Sequence, residues 1–326
     1  MILTPIFRYN LVMDLFFFLS LVLGASVMLI KSVSWFTESS AKIAHHLKIS
    51  EYTISFFLIA IGTSLPEAFV AIRSGLAQDS ILSFGTSMGS NIALVTLVIA
   101  LPVLLTGSIS TRYIIASRDM YIASFLALLP FILSLDGVIG RYDAITLFAG
   151  YLLYSIAILK RARGVESLID KIEEINLLKE AFLFIFSLAL LLAASNIIVI
   201  SAINISETLN ISLGFVGLTI TALGTSLPEI SFTIAAVKKG QTEEIMGDII
   251  GSVVANSTLV LGLAAIFYPI KIDGINMGAI TTFFVVLSFL MFMRLARTQQ
   301  KVTKKEAIVL LGIYTTFIFS ELIIRL

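Results

Sequence analysis

The sequence predicts an all-α polytopic membrane protein whose ten transmembrane helices form two inverted repeats of five helices. The 326 residues are 58% hydrophobic and 13% charged, whereas a soluble domain is closer to half apolar and a quarter charged. Apolar stretches of about 20 residues, the length that one helix needs to cross a bilayer core, recur from end to end. The six-residue motif Gly-Thr-Ser-Leu-Pro-Glu occurs twice, at 62–67 and at 224–229.

Ten apolar spans follow one another along the chain. The first lacks a small-residue cleavage site, so we interpret it as a membrane helix and not as a cleaved signal. A charged segment follows the fifth span and divides the chain into an N-terminal repeat (1–163), a cytoplasmic linker (164–177) and a C-terminal repeat (178–326). The predicted spans are 11–39, 51–76, 81–106, 118–135, 141–160, 178–203, 212–238, 243–268, 274–294 and 304–324.

The two halves match without gaps over about forty residues, which indicates duplication. Glu67 and Glu229 lie 162 positions apart, and the same offset separates Ser90 from Ser252. Five spans are an odd number, so the second half must enter the membrane from the opposite side. This is the inverted-repeat arrangement of many secondary transporters.

The basic residues predict the orientation. With the N-terminus outside, seventeen of the 22 Lys and Arg residues fall in inner segments and five in outer ones. The positive-inside bias therefore places both termini outside a cell membrane that the chain crosses many times. The net charge of +1 gives no reason to expect a nucleic-acid partner, and the absence of Cys excludes disulfides and thiolate metal sites.

The repeated hexapeptide combines a helix break with a carboxylate. Pro66 and Pro228 have no N–H, and each ring crowds the carbonyl of the glycine four residues earlier, so we expect each helix to be interrupted. Unpaired carbonyls at membrane depth require protein, water or an ion as a partner. A buried membrane carboxylate is a functional-site hypothesis by default. A packing role for the small residues is the alternative, but it leaves the two glutamates unexplained.

The two breaks are rich in oxygen atoms, and inverted symmetry would bring them together near the midplane. Their polar side chains are Thr63, Ser64, Glu67, Thr225, Ser226 and Glu229. Two carboxylates with hydroxyl and carbonyl oxygens favour a hard cation such as Ca²⁺, and the lack of nearby His or Cys argues against zinc and copper. Ca²⁺, two Na⁺ or protons would each neutralise the pair, and this competition is the physical basis of antiport.

A second repeated segment begins about twenty residues after each motif, at Gly85 and at Gly247. Ser90, Asn91 and Ser252 within these segments would offer oxygens to a smaller monovalent ion. A packing role is the alternative for these residues taken alone. Paired with the hexapeptides, we favour a ligand role for Ser90 and Ser252.

These motifs resemble the α-repeats of the calcium/cation antiporter superfamily, and most closely those of the sodium/calcium exchanger branch, especially its compact prokaryotic members. The resemblance is specific over about 57–100 and 219–262. It implies a sodium/calcium exchanger-like fold in which spans two, three, seven and eight form the core and the long first and sixth helices slide as a pair. It also implies exchange of Ca²⁺ for Na⁺ across the membrane, with no enzymatic activity and no cofactor beyond the transported ions.

The resemblance implies two sets of ligands. The Ca²⁺ ligands would be Glu67, Glu229, Thr63 and Thr225, with the threonines acting largely through backbone oxygen. The Na⁺ ligands would be Ser64, Ser90, Ser226 and Ser252, the carbonyls of Ala60 and Ala222, and the carboxylates of Glu67 and Glu229.

The chain departs from the family pattern at two positions, Leu94 and Asp248. Leu94 and Asn256 occupy positions where the family often has Asn or Asp. Leu94 therefore removes one polar ligand from the site. Asn91 and Asn256 are further candidate ligands. Asp248 stands where Asn is usual, and is either a proton carrier or an acid near the inner vestibule. These changes leave open a proton-coupled Ca²⁺/cation exchanger with the same site.

Two other classes are less consistent with the sequence. A cation channel would share the oxygen-lined site, but an inverted repeat with a midplane site favours a carrier. An intramembrane hydrolase using two carboxylates as acid and base gives the flanking Thr, Ser and Pro no role. We expect a monomer whose partners are the transported cations and the lipid bilayer.

Overall fold

The computed structural model describes residues 5–46, 64–111, 119–162, 176–238, 242–272 and 275–325. The N-terminal half contains α1 (Pro5–His46), α2 (Leu65–Leu76), α3 (Ile81–Ala93), the π-helical segment π1 (Leu94–Val98), α4 (Ile99–Thr106), β1 (Ser108–Ser110), α5 (Asp119–Leu133), β2 (Val138–Ile139) and α6 (Arg141–Ala162). The C-terminal half contains α7 (Leu177–Leu209), α8 (Leu213–Val216), π2 (Gly217–Thr221), α9 (Ala222–Thr225), α10 (Leu227–Lys238), α11 (Thr242–Ala255), π3 (Asn256–Val260), α12 (Leu261–Phe267), β3 (Ile270–Lys271), α13 (Ile275–Gln299), β4 (Lys301–Thr303) and α14 (Lys304–Arg325).

Seven helical stretches in the described part of the chain are long and apolar enough to cross a membrane. They are Met13–Phe36, Ile81–Thr106, Leu177–Leu209, Leu213–Ile234, Ile245–Phe267, Gly278–Leu295 and Lys304–Ile323. The prediction of a helical, polytopic membrane protein is therefore confirmed. The first part of the second predicted span lies outside the described residues.

The helix boundaries around α7 follow from local capping chemistry. The side chain of Asn176 accepts a hydrogen bond from the backbone N–H of Lys179, 3.1 Å away, and satisfies one free donor at the start of α7. The helix ends at Asn210, which adopts a left-handed conformation with φ 54°. Ser212 then caps α8 by accepting from the N–H of Phe215. A tight turn therefore links the longest helix of the second half to the segment carrying the second hexapeptide.

Among the described residues, three π-helical segments interrupt the core helices, and each carries threonine at its third position. Thr96, Thr219 and Thr258 each donate a hydroxyl hydrogen bond to the carbonyl four residues earlier. The segments π1 and π3 occupy equivalent positions, since 94–98 and 256–260 are separated by 162 residues. Such bulges are frequent at functional sites, and here they place irregular backbone inside the buried core.

The described part of the chain also contains four short strands of two or three residues, which were not predicted. β1 pairs antiparallel with β4, and β2 pairs antiparallel with β3. Ile109 lies opposite Val302 in the first pair, and Ile139 lies opposite Ile270 in the second, with all four side chains buried. Each pair joins one half of the chain to the other. The pairing also satisfies backbone N–H and C=O groups beyond the helix ends.

The two longest helices pack against each other along much of their length. Near one end of the α1–α7 pair, the rings of Phe36 and Phe184 stack with centroids 4.9 Å apart. Lys42 on α1 contacts Glu38 at 2.7 Å and Glu180 on α7 at 3.4 Å. The hydrogen bond to Glu38 is the main cause that raises the pKa of Lys42 above its ordinary value. Aromatic stacking and an ion cluster thus join the two helices.

The remaining core helices interlock across the two halves. α3 packs against α8, π2 and α9, while α10 packs against α4 and π1. In the corresponding arrangement α2 packs against α12 and π3. Each hexapeptide helix therefore packs against the π-helical segment, and the helix after it, of the other half.

Two glycines allow α3 to approach the second hexapeptide segment closely. A β-carbon at Gly85 would overlap the carbonyl oxygen of Gly214, and one at Gly89 would overlap that of Leu218. The backbone of α3 thus lies directly against α8 and π2, which brings Ser90, the next residue, to the second hexapeptide. Gly247, the counterpart of Gly85, has no atom within 4 Å of such a β-carbon in the described structure.

Candidate ion-binding site

The first hexapeptide lies at the start of α2. Ser64 is the last residue before the helix, and Pro66 occupies its first turn, where the missing N–H costs nothing. The carbonyl of Ser64 accepts from the N–H of Ala68 at 3.0 Å. Glu67 therefore projects from the first turn of a helix. The predicted ligands Thr63 and Ala60 lie outside the described residues.

The second hexapeptide contains the helix break that its proline predicts. α9 ends at Thr225 and α10 begins at Leu227, so that Ser226 separates the two helices. The N–H of Ser226 donates to the carbonyl of Ala222 at 3.0 Å, and its own carbonyl accepts from Ile230 at 3.1 Å. The break therefore places Ser226 between two helix ends, in the middle of an apolar span.

Ser90 connects the two halves of the site. Its hydroxyl lies 3.2 Å from Oε1 of Glu67, to which it donates, and 3.1 Å from the hydroxyl of Ser226, which donates to it. The same oxygen lies 3.5 Å from the carbonyl oxygen of Ala222 and 3.5 Å from the hydroxyl of Thr225. Five predicted ligands thus meet in one hydrogen-bonded group, to which both halves contribute.

The two glutamates are buried and have unused acceptor atoms. Glu67 is 1% exposed and Glu229 is 0% exposed. Within the described residues, Oε2 of Glu67 and both carboxylate oxygens of Glu229 have no hydrogen-bond partner. Buried polar groups are nearly always paired, so these oxygens are the strongest indication of a ligand. The two carboxylates also interact electrostatically, and Asp248, 1% exposed, interacts with both.

A cation at this point would depend on neutral oxygens as well as carboxylates. Among the residues that the structure describes, no group of three His, Cys, Asp or Glu side chains has the arrangement of a metal site. Hydroxyl and carbonyl oxygens must therefore complete any coordination shell. This donor set is hard, which favours Ca²⁺, Na⁺ or a proton over zinc or copper.

The other predicted ligands are buried, but their contacts differ. The hydroxyl of Ser64 has no hydrogen-bond partner in the described part of the chain, and Ser252 on α11 is 0% exposed. Asn91 donates to the hydroxyl of Ser257 at 2.7 Å, across the two halves. The side-chain amide of Asn256 is fully buried, and none of its atoms has a partner among the described residues.

Three polar residues near the site were not predicted from the sequence. Ser257 is the partner of Asn91, and the hydroxyls of Thr221 and Thr233 are buried without a partner in the described structure. Thr233 follows Glu229 by four residues and so shares its helix face. The spacing of four residues could have indicated from the sequence that Thr233 lies beside Glu229. The contact of Ser257 could not be predicted in this way, because its partner Asn91 lies 166 positions away.

A comparison with protein families matches both halves of the chain. The family described as "Sodium/calcium exchanger protein" matches residues 17–160 and, separately, residues 179–322. The second match begins and ends 162 residues after the first. This is the offset that separates Glu67 from Glu229.

Individual relatives match across most of the chain. The sodium/calcium exchanger MaX1 of Methanosarcina acetivorans is 28% identical, over 92% of this chain and 97% of that protein. The inner membrane protein YrbG of Escherichia coli K12 is 32% identical, over 68% of this chain and 70% of that protein.

Solved structures of the sodium-calcium exchanger NCX_Mj have a similar fold. A structure soaked with 2.5 mM Na⁺ and 10 mM Sr²⁺ superposes with a TM-score of 0.65 at 24% identity, covering 94% of this chain and 99% of that one. A structure soaked without Na⁺ and Ca²⁺ gives a TM-score of 0.62. The predicted family is therefore confirmed, and with it the classification as a transporter and not an enzyme. This chain belongs to the sodium/calcium exchanger family of multi-pass membrane proteins.

Proposed function

We propose that the chain is a secondary active antiporter that exchanges Ca²⁺ for Na⁺ by alternating access to one buried site. The observation that carries this proposal is the pairing of Glu67 and Glu229. Both are buried, both interact with each other, and together they have three carboxylate oxygens without a hydrogen-bond partner in the described residues. Two carboxylates that are buried without these hydrogen bonds need a bound cation or protons to neutralise their charge.

In this proposal Ca²⁺ binds between the two glutamates, with the backbone oxygens of Thr63 and Thr225 as further ligands. Ca²⁺ accepts six to eight oxygens in flexible geometry, which suits a site assembled from two helix breaks. Na⁺ binds through Ser64, Ser90, Ser226 and Ser252 and the carbonyls of Ala60 and Ala222, and shares the glutamates. Because both ions need the same carboxylates, one must leave before the other binds.

We further infer ten transmembrane helices arranged as two inverted repeats, with the boundaries 1–163, 164–177 and 178–326. The twofold family match, the equivalent positions of π1 and π3 and the reciprocal packing of α2 and α10 support this arrangement. The strand pairs add support, since β1 and β4 fall in predicted inner loops, while β2 and β3 fall in predicted outer loops. Each pair thus joins segments on one side of the membrane.

The same topology places both termini outside the cell membrane and the linker in the cytoplasm. The basic residues support this orientation through the positive-inside bias. Both halves of the site lie within one chain, so we infer a monomeric transporter. Four helices carry the site, namely the spans that contain α2, α3, α10 and α11.

A proton-coupled Ca²⁺/cation exchanger is the second candidate. Asp248 supports it, because its carboxylate interacts with both Glu67 and Glu229 at a position where the family usually has Asn. Leu94 supports it as well, since it supplies no oxygen where the family often does. A third acid beside fewer neutral ligands would favour protons over Na⁺ as the coupling ion.

Flux into sealed vesicles distinguishes these candidates. Purified protein is reconstituted, and uptake of ⁴⁵Ca²⁺ is measured with a Na⁺ gradient or a pH gradient imposed separately. We expect uptake driven by Na⁺. Uptake under the pH gradient alone would transfer the assignment to the proton-coupled exchanger. Large single-channel currents in a planar bilayer would instead show a cation channel.

A further inference from the structure

Arg73 is a basic residue inside the helix that carries the first glutamate. It follows Glu67 by six residues on α2, which corresponds to about 9 Å along the helix axis. Its side chain is half-buried. Arg73 lies near the predicted outer end of the second span, and a guanidinium that is partly buried there needs a polar partner.

The partner of Arg73 is Asn196, near the middle of α7. Nη2 of Arg73 donates to Oδ1 of Asn196 at 2.5 Å, between residues 123 positions apart. Nε of the same guanidinium is buried, with no partner within the described part of the chain. Hydrogen bonds that involve a charged donor are about twice as strong as neutral ones. Asn196 is therefore an important part of what holds the guanidinium in place.

This contact has no equivalent in the other half. The position 162 residues after Arg73 is Ala235, and the position 162 residues before Asn196 is Ser34. Alanine has no side-chain donor, so the repeat cannot form the same bond twice. The contact is therefore present in only one of the two repeat-related positions, which makes the two repeats different here.

The contact joins two groups of helices that, by the family resemblance, are expected to move against each other. α7 packs along α1, and this pair is expected to slide, whereas α2 packs against π3 and α12 in the core. A hydrogen bond tolerates a change of only about 0.5 Å before it weakens. A slide of α7 by several ångströms would therefore break it.

We propose that Arg73 and Asn196 form a latch that positions α2, and with it Glu67, against α7 in one of the two access states. The proposal rests on the proposed alternating-access exchange. The latch stabilises only the state in which it exists, so it shifts the balance between the two states without contacting the ion. Arg73 and Asn196 are thus positioning residues, distinct from the ligands.

The test measures half-saturating Ca²⁺ separately from the outer and inner faces, in vesicles of defined orientation. Arg73→Met and Asn196→Ala remove the bond. We expect each to change the outer-to-inner ratio of half-saturating concentrations by about tenfold, the size expected for a bond to a charged group. The double variant should equal the single variants, because all three lack the same bond.

Two further variants separate a latch from general damage. Asn196→Asp converts the bond into a charged pair, so it should move the ratio in the opposite direction and lower the maximal exchange rate. Arg73→Lys keeps the charge and should restore part of the normal ratio. Asn204→Ala is the matched control, because the Asn204 amide donates to Ile200 in its own helix at 2.8 Å.

The outcomes are distinct for the latch and for the exchanger. Wild-type exchange combined with unchanged ratios in Arg73→Met and Asn196→Ala would overturn the latch and leave the proposed function intact. Equal shifts in the same direction for Asn196→Ala and Asn196→Asp would also overturn it. Absence of Ca²⁺ exchange in the wild type would instead contradict the proposed function.

Discussion

The hydroxyl of Ser226 donates a hydrogen bond to the hydroxyl of Ser90, with 3.1 Å between the two oxygens. Ser226 belongs to the break in the second hexapeptide, and Ser90 donates in turn to Glu67 in the first half. At this point the two repeats are connected through hydroxyl groups. Oε2 of Glu67, which Ser90 does not contact, has no hydrogen-bond partner among the described residues, so the carboxylate can accept a further ligand while this connection persists.

Glu67→Gln and Glu229→Gln should each abolish ⁴⁵Ca²⁺ transport in reconstituted vesicles. Each substitution keeps the shape of the side chain and removes one of the two charges that neutralise Ca²⁺ in the proposed site. Glu207→Gln, an exposed acid on α7, serves as the control and should retain exchange. Near-normal ⁴⁵Ca²⁺ flux in either site variant would contradict the proposal that both glutamates form one site.

Ser90→Ala should weaken ion binding much more than Ser87→Ala. Both serines are fully buried on α3, but Ser90 donates to Glu67 while the Ser87 hydroxyl has no partner in the described structure. A hydrogen bond to a charged group contributes about 1.5–3 kcal/mol, equivalent to about ten- to a hundredfold in affinity. We expect half-saturating Na⁺ to rise by that factor in Ser90→Ala. Similar Na⁺ dependence in both variants would remove Ser90 from the proposed ligands.

Gly85→Ala should destabilise the protein, whereas Gly247→Ala should not. The new methyl group at Gly85 would overlap backbone atoms of Gly214 and Leu218, while the equivalent space at Gly247 is open. Overpacking of this kind costs about 1–3 kcal/mol, and alanine otherwise favours a helix over glycine. Thermal unfolding in detergent would show the difference. An equal effect of both substitutions would contradict the close approach of α3 to α8.

Asp79→Asn should stabilise the protein at neutral pH, with a benefit that shrinks as pH falls. Burial raises the pKa of Asp79 above its ordinary value of 3.8, and the nearby charge of Glu207 raises it further. A raised carboxyl pKa means that folding favours the protonated form, so the folded state loses stability as pH rises through the folded-state pKa. Removing the carboxylate should therefore help above that pKa and matter little below the ordinary value.

The measurement for Asp79 is the unfolding temperature in detergent between about pH 3 and about pH 8, because the expected change begins near the ordinary pKa of 3.8. The difference between Asp79→Asn and the wild type should be larger at about pH 8 than at about pH 3. Asp14→Asn, an exposed acid on α1, provides the control and should show little change. A difference that is constant over this range would exclude the proposed electrostatic cause.

Much of the fold could be predicted from local patterns. The third predicted span, 81–106, has the same limits as α3, π1 and α4 together, because a continuous apolar run bounded by turns leaves little choice of helix ends. The first span was predicted as 11–39, whereas α1 extends over Pro5–His46. Beyond the predicted C-terminal limit, Lys42 of α1 contacts Glu180 on α7, and a hydropathy pattern does not record such a contact.

The candidate site divides in a similar way. Glu67, Ser90 and Ser226 were predicted as ligands, and their side chains lie in one hydrogen-bonded group. The repeat made this prediction possible, since the same motif twice at one offset marks two halves of one feature. The π-helical segments and the strand pairs were not predicted, because their hydrogen bonds depend on how distant segments meet.

The sequence by itself determined the membrane class, the length of most helices and the duplication, because these follow from composition, hydrophobic run length and motif spacing. It also indicated the family, through the resemblance of its repeated motifs to those of known exchangers. Only the tertiary structure decided which oxygens meet at Ser90, why Gly85 must remain small, and that Arg73 contacts Asn196. These features join residues separated by more than a hundred positions. No local pattern specifies such contacts, since they depend on the packing of one repeat against the other.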